Sequence, residues 1–303
     1  MIYTEKEREG RKMLDFRMET FLAVCQYRNY TRAAAALHIT QPAVSQHIRY
    51  LENQYQTKLF FCKGRQVRLT AAGEYLQRAA AALKNDECFL REQMLHADKG
   101  SPALKFGTTF TIGESVIADP LAAYIQIHPE LSISLVVHNT DELLRQLKAG
   151  QIQFALVEGY YDDQEFDSLV YRAEPFVPVC AAGHQFAKEP ETLKDLFGEQ
   201  LLVREQGSGT RDILEKYLAA RDRELSDFRR LTEIGSLHVI LQLLKMNVGI
   251  TFLYRAAVEE ELRSGRLREL VLKDFQMEHD FAFIWNKGSI YGGLYRGICE
   301  ELR

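Results

Sequence analysis

The sequence predicts an α/β protein in three parts: a small N-terminal all-α winged helix-turn-helix, one long helix, and a two-lobed α/β region. Three observations carry that prediction. Two short Thr-initiated helices and a basic hairpin are packed into Thr31–Thr70, an apolar residue recurs every seventh position across 71–98, and strand and helix patterns alternate from Ala103 to the end. With 303 residues, 46% hydrophobic and 26% charged, the chain can build two or three separate cores.

Met1 to Lys12 is charged and lacks an apolar core, so it reads as a disordered lead or a start-site choice ahead of Met13, and not as a secretory signal. Arg17 to Tyr27 forms a supporting helix that offers Phe21, Leu22 and Val24 for packing. Thr31 is expected to cap an Ala-rich helix. After the break at His38-Ile39, Thr40 caps a second helix whose first turn holds Gln41 and Pro42. In that second helix Ala43, Val44, Ile48 and Leu51 make one apolar stripe, while Gln41, Ser45, Gln46 and Arg49 lie opposite with no acid before Glu52. Such a face suits the major groove, where Gln pairs with adenine and Arg with guanine.

Lys58 to Arg68 reads as two short strands around Lys63-Gly64-Arg65, a basic hairpin placed to touch phosphate. Paired Ala-rich helices also occur as plain packing units, and charge separates the two readings. Residues 13–70 carry eight Lys/Arg against three acids, a net of +5, whereas residues 71–303 sum to −10 and the whole chain to −4. A positive end on an acidic chain points to double-stranded DNA as the partner. The expected base-reading residues are Gln41, Ser45 and Arg49, with Pro42 and Gln46 on the same surface. Thr31, Thr40, Lys63, Arg65 and Arg68 are expected at phosphates.

From Ala71 to about Asp98 neither Pro nor any Gly beyond Gly73 interrupts a helical pattern, and Leu76, Leu83, Leu90 and Ala97 recur with Ala80 and Met94 beside them. Such a seam needs a partner. A 60-residue head offers too little surface to cover it, so a contact between two copies is preferred to a helix lying on its own domain. Lys99-Gly100-Ser101-Pro102 ends the helix.

Beyond the linker, strand Leu104–Thr108, helix Gly113–Ile127, strand Ser132–His138, helix Thr140–Ala149 and strand Phe154–Glu158 form a βαβαβ series, hence a parallel sheet. A second series follows: strands Phe176–Ala181, Gln200–Val203, Arg229–Ile234 and Gly249–Leu253, with helices Gly209–Ala219, Ser236–Met246 and Ala256–Ser264. Strand Asp280–Trp285 and helix Tyr291–Leu302 close the chain. In open α/β sheets ligands sit beyond the carboxyl ends of strands, against helix starts. Two stretches fit: Thr108-Thr109-Phe110-Thr111-Ile112-Gly113, and Arg204 to Arg211 with its Gly-Ser-Gly-Thr-Arg run. Backbone amides, a positive helix end and Arg211 together favour an anion. The candidate ligand-binding residues are Thr108, Thr109, Thr111, Ser208, Thr210, Arg211 and Ser236, with Arg211 as charge partner if its side chain faces the cleft. Taken singly, the Thr-rich stretch reads equally well as ordinary caps and turns.

Phe21-Leu22-Ala23-Val24, Thr40-Gln41-Pro42-Ala43-Val44-Ser45, Leu51-Glu52, Lys58-Leu59-Phe60 and Val67-Arg68-Leu69-Thr70-Ala71-Ala72-Gly73 together resemble the LysR-type transcriptional regulators of bacteria. Gln46 departs from the Arg that many members place after the Ser, which bears on the operator sequence and not on the binding mode. The resemblance implies a winged helix-turn-helix over 13–70, a dimerisation helix over 71–98 and a periplasmic-binding-protein-like effector region over 103–303. Lobe one is expected to be 103–174 plus 280–303 and lobe two 175–279, with crossovers near Ala173–Val177 and His279–Ala282. It also implies a homotetramer in which effector lobes join linker-helix dimers, and the unpaired cysteine spacing points to a reducing cytoplasm. Some members sense oxidants through a cysteine pair, but Cys180 and Cys299 are the only cysteines of the effector region and their spacing does not favour that role.

Other function classes lack their residues. Five cysteines and eight histidines form no paired or clustered spacing, so neither disulfides nor a metal is expected. There is no Gly-x-Ser-x-Gly, no phosphate-binding Walker loop and no Gly-x-Gly-x-x-Gly after a strand, so no enzyme and no cofactor are expected. No apolar run reaches membrane-spanning length. A solute-binding protein would explain the lobes but not the basic head.

Overall fold

The computed structural model describes residues 14–63, 66–97 and 103–303. The expected lead 1–12 and Met13, Gly64 and Arg65 of the hairpin, and 98–102 with the expected linker 99–102 lie outside the described residues. Helix α1 (Phe16–Tyr27) starts at Asp15, whose carboxylate accepts from Arg17 N at 2.8 Å. Helix α2 (Tyr30–Ala36) begins two residues earlier than the sequence suggests: Asn29, not Thr31, is its cap, accepting from Arg32 N at 2.9 Å. Asn caps at least as well as Thr, and an earlier start lets Tyr30 pack edge-on against Phe60. Thr31 is left exposed inside the first turn.

His38 ends α2 with φ 55°, and Thr40 then caps α3 (Gln41–Gln54) by accepting from Ala43 N at 3.4 Å. Val44, Ile48 and Leu51 of α3 are buried with Phe21, Val24 and Ala33 in the core of the head. Glu52 faces this core rather than solvent. It accepts from Leu59 N at 3.0 Å and Lys58 Nζ at 2.6 Å, and so pins the hairpin to α3. The wing itself is β1 (Phe60–Lys63) antiparallel to β2 (Gln66–Leu69), with Lys63 opposite Gln66.

Helix α4 (Ala71–Ala97) carries two different faces. One docks on its own chain: Asn85 Nδ2 donates to Leu147 O at 3.3 Å and Ile152 O at 2.8 Å, Asp86 accepts from Ser289 Oγ and Ile290 N, and Phe89 meets Tyr291 edge-on at 4.4 Å. The other leaves Tyr75, Leu83 and Met94 72%, 54% and 68% exposed. Residues 85–89 thus find cover that the head alone was not expected to give, because polar Asn85 and Asp86 face the effector region. The expected contact between two copies stands open for the Leu83 side.

The α/β region follows as β3 (Ala103–Thr108), α5 (Phe110–Ser115), α6 (Ala118–Ile127), β4 (Ser132–Val137), α7 (Thr140–Ala149), β5 (Phe154–Val157), β6 (Phe166–Ala181), β7 (Gln200–Arg204), α8 (Gly209–Ala219), β8 (Arg230–Ile234), α9 (Leu237–Lys245), β9 (Ile250–Tyr254), α10 (Arg255–Arg263), β10 (Leu267–Glu269), β11 (Glu278–Asn286) and α11 (Gly292–Glu301). The single helix expected over Gly113–Ile127 is two. Pro120 has no N–H to give the carbonyl of Val116 and its ring crowds that turn, so the helix breaks at Val116 and restarts.

Strand order is β4-β3-β5-β11-β6-β9-β7-β8, with β10 on β6. Parallel pairs β3/β4, β3/β5, β7/β8 and β7/β9 fit the expected βαβ units, but β11 runs antiparallel to β5 and β6, and β6 to β9. The sheet is mixed, which corrects the all-parallel reading. The antiparallel part comes from β6, 16 residues long where only its last six were expected: exposed Ser168, Arg172 and Ala173 and the buried acid Glu174 interrupt the apolar pattern of its first part. β6 and β11 pair from Phe166↔Asn286 to Pro175↔Glu278, with a bulge at Phe281/Ala282, and carry the chain between the lobes. Aromatic stacking of Phe106 on Phe154, 4.9 Å apart, with Tyr295 of α11 beside them, centres lobe one.

Candidate functional site

The head presents one polar surface. Gln41, Pro42, Gln46 and Arg49 are exposed and Ser45 half-buried along α3, with Gln41 Nε2 donating to Ser45 Oγ at 3.0 Å. Thr31, Thr40 and Arg68 are exposed around it. Lys63 is described in its backbone only, and Arg65 lies outside the described residues. The surface is stiffened from behind: His47, on the same helix, meets Thr20 Oγ1 at 2.9 Å and Phe16 edge-on at 4.9 Å, and its burial lowers its pKa, which keeps the ring neutral.

A second site lies where the lobes meet. β3 delivers Thr109 as the start of α5, and its hydroxyl makes no cap bond but donates to the carboxylate of Glu158 at the end of β5. From lobe two, Thr210 in the first turn of α8 donates to the other oxygen of Glu158 at 3.2 Å, and the Thr111 hydroxyl lies 3.4 Å from that of Thr210. Thr140, opening α7, donates to Glu158 O at 3.0 Å and accepts from Gly209 N at 3.1 Å. Backbone meets backbone here: a Cβ on Gly209 would sit 2.3 Å from Glu158 O, and one on Gly159, at φ 96°, 2.6 Å from Gly209 Cα. Thr108, Thr109, Thr111, Ser208 and Thr210 are all buried.

Hydroxyls at the starts of α5 and α8 thus hold the Glu158 carboxylate, and Thr140 at the start of α7 holds its backbone carbonyl. Burial pushes the Glu158 carboxyl above the usual carboxylate range; the hydroxyls of Thr109 and Thr111 and the charge of Arg204 oppose the rise. Arg204 is itself bidentate to Glu205, which also accepts from Asn139 Nδ2 at 3.2 Å. Beside the lobe contact lies a polar cavity of about 330 Å³, lined by Asp141, Tyr160, Ser208 and Arg211 among others.

Three candidate residues take other positions. Arg211 lines the cavity but pairs with Glu215 at 2.7 Å and Glu233 at 2.5 Å within lobe two, so its charge is already matched. Thr108 Oγ1 packs against the first turns of α5, 2.7 Å from where a Gly113 Cβ would stand, and not with Thr109. Ser236 accepts from Val239 N at 3.4 Å as the cap of α9. Glu158 itself went unremarked, although an acid closing the four-residue apolar run Phe154–Val157 sits where strand ends meet ligands.

Among the described residues no cluster of His, Cys, Asp and Glu could hold a metal ion, and no helix is long and apolar enough to cross a membrane. A family model described as bacterial regulatory helix-turn-helix protein, lysR family, matches residues 16–74, and one described as LysR substrate binding domain matches residues 97–294. The chain is 30% identical over 281 residues to the HTH-type transcriptional regulator CysL of Bacillus subtilis, covering 88% of this chain and 89% of that protein. It is 32% identical over 253 residues to the HTH-type transcriptional regulator CbbR of Rhizobium meliloti, covering 82% and 80%. A full-length OxyR variant of Pseudomonas aeruginosa superimposes with a TM-score of 0.57 at 20% identity, over 97% of this chain and 95% of that one, and shares the fold.

Proposed function

This chain belongs to the LysR family of bacterial transcriptional regulators, and from that premise we propose that it reads an operator with the exposed face of α3 and senses a small anionic metabolite between its lobes. DNA binding, a substrate-binding region and a regulatory rather than enzymatic role follow from the family. The residues and the effector class are our reading. Gln41, Ser45 and Arg49 read base edges, and Thr31, Thr40, Lys63, Arg65 and Arg68 hold phosphates. Residues 13–70 form the reading head, 71–98 the helix that pairs two copies, and 103–303 the sensing region; effector lobes then join dimers into a tetramer.

One observation carries the effector class: hydroxyls from both lobes, Thr109 and Thr111 on one side and Thr210 on the other, converge where three helices start. A ligand touching both jaws shifts the lobe equilibrium by its difference in affinity for the two arrangements, and α4 couples lobe one to the head through Asn85 and Phe89. The hydroxyls and amides do the recognition, since Arg211 is paired elsewhere. Calorimetry of the full chain with small metabolic acids and oxyanions, comparing wild type with Thr109→Val and Ser208→Ala, tests this. Anion binding weakened by either substitution supports it. Binding by neutral or cationic compounds only, or indifference to both substitutions, places the effector elsewhere.

A further inference from the structure

Glu158 stands in the place a ligand's acid group would take. Its two oxygens receive Thr109 from lobe one and Thr210 from lobe two, and it is 1% exposed. It is fixed there by its own backbone, whose carbonyl accepts from Thr140, and by the close approach of Gly209. The charged and titratable groups around it are few. Arg204 at the end of β7 approaches it but is bound through two nitrogens to Glu205, and Tyr254 at the end of β9 lies within its field with a buried hydroxyl that has no partner among the described residues. Asp141, Asp212, Glu215, Tyr160 and Arg211 line the adjoining cavity, Arg211 paired with Glu215 and Glu233.

With Glu158 ionised, Arg204 and Glu205 cancel and the buried group keeps one negative charge. An arriving anion then meets a like charge in a site of low dielectric. With Glu158 protonated the same group is neutral and its O–H becomes a donor for the anion.

Resting on the anion reading above, we propose that Glu158 is the specificity-determining residue of the cleft: its carboxyl group occupies the hydroxyl cradle in the absence of ligand, and an anion is admitted only as Glu158 takes up one proton from solvent. Ligands of low charge that accept a hydrogen bond from a carboxylic acid are favoured, and multiply charged anions lose affinity as pH rises. Burial of Glu158 supports this from the ligand-free side. Its carboxyl ionises less readily folded than unfolded, so between the two values the folded chain holds more protons, and stability falls as pH rises through that window. A glutamine at 158 keeps the shape and abolishes the titration.

The test uses the full chain, wild type and Glu158→Gln. Inorganic phosphate, sulfate and small mono- and dicarboxylates are titrated by calorimetry at about pH 6 and pH 8, in buffers of differing ionisation enthalpy, which counts protons. Wild type is expected to take up close to one proton at the higher pH and to lose up to tenfold in affinity per pH unit there; Glu158→Gln is expected to do neither. Anion binding with no proton uptake in wild type, and the same affinity in Glu158→Gln, overturns the proposal and leaves the anion reading standing. If no anion binds either protein, the anion reading fails, and thermal unfolding without ligand decides what Glu158 does. The melting temperature of Glu158→Gln should exceed that of wild type by a margin that grows from about pH 5 to pH 8. A constant margin shows that Glu158 titrates as an ordinary surface acid, and the proposal falls.

Discussion

Thr210, in the first turn of α8 in lobe two, donates its hydroxyl to Glu158 of lobe one at 3.2 Å, so one of the hydrogen bonds between the lobes ends on a buried carboxyl group. Thr109 holds the opposite oxygen from lobe one, and the Thr111 hydroxyl is 3.4 Å from that of Thr210. Asn139 to Glu205 and Asp141 N to Gly207 O add further polar bonds across the lobes, so the carboxyl group sits inside a polar seam.

Thr210→Val keeps the volume but removes the donor across the cleft. Leaving a buried carboxyl group short of one partner should cost about 1–3 kcal/mol, read as a shift in the denaturant midpoint. Thr111→Val removes the longer contact to Thr210 and a hydroxyl that also favours the Glu158 carboxylate, and should cost less than Thr210→Val, under about 1 kcal/mol. Hydrogen exchange of the amides opening α8 should rise in Thr210→Val. Equal costs for the two variants would show that Glu158 does not depend on Thr210.

The face of α3 yields a separable pair of outcomes. Arg49→Ala or Gln41→Ala should cost about 1–3 kcal/mol on the preferred operator and relax one base position, measured by selection from random sequences. Arg65→Ala should weaken every sequence alike and reduce the salt slope by roughly one unit. An unaltered preference in Arg49→Ala would move base reading off this face.

Much of the fold was legible because the relevant signals are local. Thr40 and Pro42 fix the start of α3, the Val44-Ile48-Leu51 stripe fixes its buried side, and the helix over Gly209–Ala219 is found with the bounds that the glycine and hydroxyl run suggests. What was missed depends on partners distant in sequence. The first ten residues of β6 look like a loop until β11 pairs with them, and Asn85 looks like a surface residue until Leu147 and Ile152 offer their carbonyls. Arg211 falls in the same class: helical phase allowed either direction, and only the position of Glu233 on β8 decides it. Glu158 was the readable omission, since a lone acid at the end of a buried strand has to find donors, and the Thr-rich stretch was the visible supply.

The thiols should be quiet. Burial pushes Cys25 up to about 12 and Cys180 up to about 11, and raises Cys299 as well. The thiolate is the reactive form, so at neutral pH these three should resist a thiol reagent in the native protein and react once it is unfolded. Cys180 lies on β6 in lobe two and Cys299 on α11 in lobe one, so peroxide should not join them. Mass spectrometry of peroxide-treated native protein checks both statements; a Cys180–Cys299 cross-link would make the chain an oxidant sensor.

The two faces of α4 make assembly and folding separable. Phe89 is 6% exposed and packs edge-on against Tyr291 of its own chain, whereas Leu83, six residues earlier, is 54% exposed with nothing of its own chain to cover it fully. Phe89→Ala should therefore cost about 3–5 kcal/mol in stability, as deletion of a buried ring does, without changing the mass of the species that remains folded. Leu83→Glu with Leu90→Glu should leave the fold intact by circular dichroism and reduce the particle to a monomer by light scattering, because a pair of charges at heptad positions opposes a second helix carrying the same pair. The DNA consequence follows from geometry: two heads held by one seam reach half-sites one or more helical turns apart, and a monomer reaches one. The double variant should then bind a single half-site with an affinity no longer sensitive to the spacing of the second. An unchanged mass would place the Leu83 side against this chain's own surface and leave dimerisation to the lobes.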